Sequence, residues 1–163
     1  MEILKFPHPA LLKPCKPVTV FGPELRTILD AMFLTMRTKN GVGLAANQVG
    51  LDLRAFVMIT ELGSKLYVVN PEITSFSKNI NLFKEGCLSA PGEFLVTGNR
   101  PDWVQVRFQD ENGLNHGNVF HGVDAVCFAH ENEHLDGKAF MQAKSISKSK
   151  RMAICKRWGL KRK

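Results

Sequence analysis

Apolar residues recur along this chain at two periods, and the changes between them divide it into helices and strands. Leu25, Ile28, Leu29, Met32 and Met36 keep the three-to-four spacing of one helical face. Pro23 stands where a helix favours proline, in its first turn, so the pattern predicts a helix from about residue 23 to residue 39. Ala55-Phe56-Val57-Met58-Ile59-Thr60 and Leu66-Tyr67-Val68-Val69 flank the turn Glu61-Leu62-Gly63-Ser64 and predict two strands, the second ended by Asn70-Pro71. Trp103-Val104-Gln105-Val106-Arg107-Phe108-Gln109 alternates with period two. Asn112-Gly113 then signals a hairpin, with Val119 and Phe120 on the return strand. Val123, Val126, Cys127 and His130 resume helical spacing, with Gly137 as terminator.

Between these elements the periodicity breaks. Four prolines at positions 7 to 17 predict an extended arm rather than a helix, with His8 as a surface histidine. Gly41-Val42-Gly43-Leu44-Ala45-Ala46-Asn47-Gln48-Val49-Gly50 predicts a helix end followed by a tight loop. Its glycine spacing does not fit a dinucleotide fingerprint. Lys84-Glu85-Gly86-Cys87-Leu88-Ser89-Ala90-Pro91-Gly92 predicts a loop centred on a cysteine. There is no internal repeat or low-complexity linker. The expected class is α+β, with mostly antiparallel strands packed around a central helix after residue 122. An N-terminal helix and a short C-terminal helix complete it.

Composition narrows the setting. A chain of 163 residues is the size of one domain, and 44% hydrophobic with 23% charged residues is ordinary for a soluble globular protein. The longest apolar runs have five residues, against the ~20 needed for a membrane helix. No signal-peptide pattern opens the chain, so a cytoplasmic location is expected, or an organellar one if a transit peptide has been removed. The four cysteines, Cys15, Cys87, Cys127 and Cys155, are scattered and read as reduced thiols. The net charge of +7 is uneven. Nine Lys/Arg and no acid fall in residues 144–163, which leaves 13 basic against 15 acidic residues elsewhere. Residues 148–163 are therefore a basic tail, expected to form a short helix with Met152, Cys155 and Trp158 on one face. Such a tail suits phosphate backbone without sequence specificity, and no specific DNA partner is implied.

The candidate chemistry lies on the central helix. His130-Glu131-Asn132-Glu133-His134 is a His-Glu-x-x-His motif. On a helix the two imidazoles leave from one face a turn apart and can share a metal, with Glu131 beside them as an acid/base. A catalytic metal needs three protein ligands and an open position. No His or Glu follows His134, and Asp136 is too close to fold back, so the third ligand must come from upstream. Cys87, a thiolate between Gly86 and Leu88 in a loop, is the best candidate. Cys15, Cys127 and Cys155 read as packed or surface thiols.

Gly41-Val42-Gly43-Leu44-Ala45-Ala46-Asn47-Gln48, Glu85-Gly86-Cys87-Leu88-Ser89 and His130-Glu131-Asn132-Glu133-His134-Leu135 resemble, in order and spacing, the three signature motifs of the peptide deformylases. The N-terminal Pro-His-Pro segment and the helix after it also resemble the family. On this resemblance residues 1–147 are one catalytic deformylase domain. Cys87, His130 and His134 then bind one divalent ion, Fe(II) by family habit, with Zn, Ni or Co as substitutes. The implied reaction removes the formyl group from N-formylmethionyl nascent peptides by attack of a metal-activated water. Glu131 moves the proton. The Gln48 amide and the Leu88 backbone N–H stabilise the oxyanion, a role that Glu at position 48 would oppose. Gly43 lets the substrate backbone approach, and Gly86 lets the cysteine loop wrap the metal. Val42, Phe83, Val123, Val126 and Cys127 are candidates for the methionine pocket. The basic tail implies a ribosome contact.

Three positions depart from the family pattern. Ala129 replaces a frequent Gln. Glu133 replaces an Asp and is expected to pair with Arg107. Arg100 is displaced by two from the usual Val-x-Arg, which puts substrate contacts near it in doubt. The other enzyme compatible with the helix is a zinc peptidase.

Overall fold

A computed structural model describes residues 1–143 and 146–157. Helix α1 (Pro23–Thr38) and helix α2 (Gly122–Leu135) lie where the apolar spacing places them. Between them run β1 (Gly43–Ala45), β2 (Ala55–Ile59), β3 (Lys65–Phe76), β4 (Ile80–Asn81), β5 (Glu85–Cys87), β6 (Ala90–Leu95), β7 (Arg100–Pro101), β8 (Trp103–Gln109) and β9 (Asn115–His121). A further helix, α3 (Lys148–Arg157), follows. Strands β1-β2-β3-β8-β9 form one sheet in that order; β4 pairs with β7 and β5 with β6. All these pairings are antiparallel, as expected for the α+β class.

The sheet carries a helix on each side. Leu29, Met32 and Met36 of α1 pack with Ala55, Val57 and Val69. Ala125, Phe128 and Leu135 of α2 pack with Phe56, Met58, Val68 and Val106. Alternate residues of β2 therefore enter opposite cores, and the strand is apolar throughout. Strand β8 is covered on one face only. It buries Val104, Val106 and Phe108 and exposes Gln105 and Arg107, which accounts for its clean alternation.

Helix α2 is buried around most of its circumference, including every residue from Ala125 to Glu131. Phe128 is fully buried, edge-on to Phe56 with ring centroids 5.0 Å apart and stacked on Phe120 at 5.4 Å. Phe128→Ala would leave a cavity behind the turn that carries His130 and His134. We expect it to destabilise the protein by about 3–5 kcal/mol, read as a lowered urea midpoint. Beyond α2, Gly137 takes a left-handed conformation (φ 71°). A Cβ there would lie 2.7 Å from the Lys13 carbonyl carbon, so the N-terminal arm crosses where only glycine leaves room.

Several local expectations are corrected. The proline arm is not wholly extended, because Pro9–Leu12 forms one 3-10 turn, with His8 Nδ1 accepting from Ala10 N–H at 3.2 Å. The arm is also tied to later segments, with Leu4 N–H donating to Gln48 O at 2.8 Å and Phe6 N–H to Ser89 O at 3.0 Å. Asn70-Pro71 does not end β3. Asn70 adopts a left-handed conformation (φ 50°), and the pairing with β8 shifts register there, so a bulge absorbs the proline and the strand continues. The glycine-rich loop after α1 contains β1 and a 3-10 helix (Ala46–Val49), and the cysteine loop is the hairpin of β5 and β6. In α3 the buried residue is Ile154, not Met152, which is exposed. Ile154 joins Phe6, Leu11, Leu95 and Phe140 in a third apolar cluster. Trp158 and the last basic residues lie outside the described residues. No helix among the described residues is long and apolar enough to cross a membrane.

Candidate active site

Helix α2 and the β5–β6 hairpin meet at the cysteine. The ligand atoms of Cys87, His130 and His134 lie within 4.8 Å of one another, with Cys87 Sγ 3.2 Å from His134 Nε2. Three convergent donors, one thiolate and two imidazoles, suit a borderline divalent cation.

The imidazoles are fixed from behind. Glu85 Oε2 lies 2.6 Å from His130 Nδ1, which leaves the other ring nitrogen for an ion. The Glu85 carboxylate also accepts from Arg100 Nε at 2.9 and 3.0 Å and from the Thr97 hydroxyl. Arg100 reaches on to Glu133 Oε2 at 2.7 Å, and Asn99 Nδ2 donates to the other oxygen of Glu133 at 3.2 Å. The partner of Glu133 is thus Arg100 and not Arg107, which is exposed on β8. Arg100 is only 2% exposed, so it serves this buried network and does not face the cavity. The motifs by themselves give Glu85 no role, although it stands two residues before Cys87. That spacing puts both side chains on one face of a strand, which was the available signal.

Charge supports a cation here. Burial alone would push the Glu85 carboxyl up, but the hydrogen bond and charge of His130 and the Arg100 guanidinium outweigh it and hold it at about 2. Burial, then the charges of His130 and Arg100, keep His134 well below its ordinary value, in the neutral form that ligates. Burial also opposes charge on His130, yet Cys87 and Glu85 draw a proton onto it and raise it to about 10. The cluster attracts positive charge to the place where an ion would sit. We expect Glu85→Gln to weaken metal retention roughly 10–100-fold, measured by competition with a chromophoric chelator. Unchanged affinity would show that the contact does not position His130.

Glu131 is buried against β1. A Cβ on Gly43 would come within 2.4 Å of Glu131 Oε1, so the group that excludes a side chain at Gly43 is this carboxylate. Glu131 Oε2 has no hydrogen-bond partner among the described residues. Burial pushes this carboxyl up to about 7, against the pull of the His130 and Arg100 charges. Gln48 has a defined orientation. Its Oε1 accepts from Ala45 N–H at 2.8 Å, which turns Nε2 toward Ser89 Oγ at 3.1 Å and Cys87 Sγ at 3.5 Å. Asn47, to which its motif alone assigns no role, anchors the same segment to α2 by donating from Nδ2 to His134 O at 2.5 Å.

A cavity of about 660 Å³ opens onto this centre. Leu88, His130 and Glu131 line it, as do all five methionine-pocket candidates, Val42, Phe83, Val123, Val126 and Cys127. Val126 and Cys127 are buried in its wall, whereas Val42, Phe83 and Val123 are substantially exposed at its mouth. Gly86 also lines it. A Cβ there would meet the exposed Phe94 ring at 2.9 Å, so that ring rests directly on this glycine.

Comparison with known proteins agrees with these features. The model of the polypeptide deformylase family matches residues 1–151. A peptide deformylase from Wolinella succinogenes is 42% identical, covering 93% of this chain and 92% of its own. One from Pseudomonas aeruginosa is 39% identical, covering 93% and 91%. Among solved structures, a peptide deformylase from Synechococcus elongatus in complex with actinonin superposes with a TM-score of 0.89 at 32% identity, covering 98% of this chain and 86% of that one. One from Legionella pneumophila reaches 0.86 at 38% identity, covering 95% and 90%. With its metal-ligand group in place and its relatives matched over nearly their full length, the chain belongs to the polypeptide deformylase family.

Proposed function

We propose that this enzyme hydrolyses the formyl amide at the N-terminus of formylmethionyl nascent peptides, working in the cavity above Cys87, His130 and His134. The observation that carries this reading is the convergence of those three ligand atoms within 4.8 Å beside a buried Glu131. A bound divalent ion, Fe(II) in this reading with Zn, Ni or Co as substitutes, supplies Lewis acidity and lowers the pKa of water. Cys87, His130 and His134 hold it.

The chain's own groups do the rest. Glu131 takes a proton from the attacking water and returns it to the departing amine. Its carboxyl, pushed up to about 7, suits both transfers near neutral pH. Gln48 Nε2, turned toward the centre by Ala45, donates to the oxyanion. The Leu88 N–H is the second donor, and one such donor contributes about 2.7–4 kcal/mol. Val126 and Cys127 form the wall against the methionine side chain, with Val42, Phe83 and Val123 at its edge. The products are formate and a free N-terminal amine.

The test is anaerobic purification, metal analysis and assay of formyl-Met-Ala-Ser beside the unformylated peptide on one sample. Formate release from the first and no reaction of the second is expected. Cleavage of an internal peptide bond would favour the zinc peptidase instead.

We place this work in the cytoplasm, with the ribosome as a second partner through α3. Lys148, Lys150 and Lys156 are exposed there. Because Ile154 is part of the core, truncating α3 would disturb the body, and charge removal is the cleaner variant. Changing the three lysines to Gln is expected to weaken co-sedimentation with ribosomes at low salt and to lower its salt dependence. Undiminished binding would exclude α3 from the contact.

A further inference from the structure

The mouth of the cavity differs from its floor. Phe94, Val42, Phe83 and Val123 line it and are 69%, 53%, 48% and 38% exposed. Exposed apolar side chains grouped at a cleft mark a surface that is covered in use. Phe94 lies beside the cysteine ligand. The β5–β6 register sets it opposite Gly86, its ring lies over that glycine, and Cys87 follows. The mouth is also cationic. Lys5, Lys39 and Lys84 line it, and among the described residues no carboxylate pairs with Lys39 or Lys84. Of the carboxylates lining the cavity, Glu85 and Glu131 are buried, and Glu93 is bound by Arg157.

We propose that this mouth selects the residues following the formylated methionine, favouring a large apolar or aromatic side chain and disfavouring a cationic one, with Phe94 as the specificity-determining residue. The proposal rests on the deformylase reading. A chain whose first residue occupies the floor must leave over the mouth, so its next side chains meet Phe94, Phe83, Lys39 and Lys84. Covering on the order of 50 Å² of apolar surface there corresponds to a gain of about five- to tenfold. The lysines repel a like charge by a smaller, salt-dependent factor.

The experiment uses the metal-loaded enzyme and two amidated series, formyl-Met-Xaa-Ser and formyl-Met-Ala-Xaa, with Xaa as Phe, Ala or Lys. The expected order in kcat/KM is Phe, Ala, Lys in at least one series, expressed mainly in KM. Phe94→Ala should bring the Phe-to-Ala ratio to about one, and Phe94→Tyr should restore it. The double variant Lys39→Glu, Lys84→Glu should remove the penalty on lysine. Equal kcat/KM throughout both series, or an unchanged Phe-to-Ala ratio in Phe94→Ala, would overturn the proposal. Failure to deformylate any of the peptides would overturn the deformylase reading and the proposal with it.

Discussion

Glu131→Gln is expected to lower kcat by roughly 10²–10⁴-fold while the protein keeps its metal. The amide matches the carboxylate in size, so the close fit against Gly43 is retained and β1 has no reason to move. What is lost is the ability to accept a proton in a site where water cannot readily replace it. Glu131 is 5% exposed, and its Oε2 has no protein partner among the described residues. The neighbouring ligands His130 and His134 remain, so metal content should stay near that of the parent. Metal analysis and steady-state kinetics on the same preparation check both halves. A metal-replete variant with parental kcat would remove Glu131 from the proton transfers.

Cys87→Ala should abolish both metal retention and activity. It takes away the thiolate and leaves two imidazoles, and two ligands do not hold a divalent ion against buffer. Folding should survive, because Cys87 is only half-buried and the β5–β6 hairpin is held by its ladder. The expected outcome is a protein with parental circular dichroism, no stoichiometric metal and background turnover that added Fe(II) or Zn(II) does not restore. Stoichiometric metal with retained activity would show that the third ligand lies elsewhere. The two variants thus separate holding the ion from moving the proton: one keeps the metal and loses the base, the other loses the metal with the base intact.

The central helix was readable from sequence because its evidence is local. Val123, Val126, Cys127, His130 and His134 carry helical spacing within a dozen residues, and that spacing alone sets the two imidazoles on one face. Cys87 was reachable by elimination, since no His or Glu follows His134 and the other three cysteines read as packed or surface thiols. The partner of Glu133 was not reachable. Arg100 and Arg107 both lie upstream, and Arg107 sits in the more recognisable strand. The choice depends on β7 running beside α2 while the strand alternation of β8 turns Arg107 to solvent. The Asn70-Pro71 bulge was hidden for a similar reason. A proline that would normally end a strand is tolerated because Asn70 Oδ1 accepts from Val18 N–H at 2.8 Å and its Nδ2 donates to Val18 O at 2.9 Å. Those partners are 52 residues away.

By itself the sequence determined the helices α1 and α2, the strands β2, β3, β8 and β9, the antiparallel α+β class, the helix face that presents His130 and His134, and the short list from which Cys87 emerged. These follow from periodicity, backbone restriction by proline and glycine, and the chemistry of donor atoms, all of which act over a few residues. The tertiary structure decided which distant groups meet. It joined Glu85 to His130 and Arg100, set Glu131 against Gly43, turned the Gln48 amide by way of Ala45, buried Ile154 rather than Met152, and left Phe94 exposed over Gly86. Each of these depends on register and on the packing of elements far apart in the chain, where a shift of one residue reverses the face a strand side chain occupies.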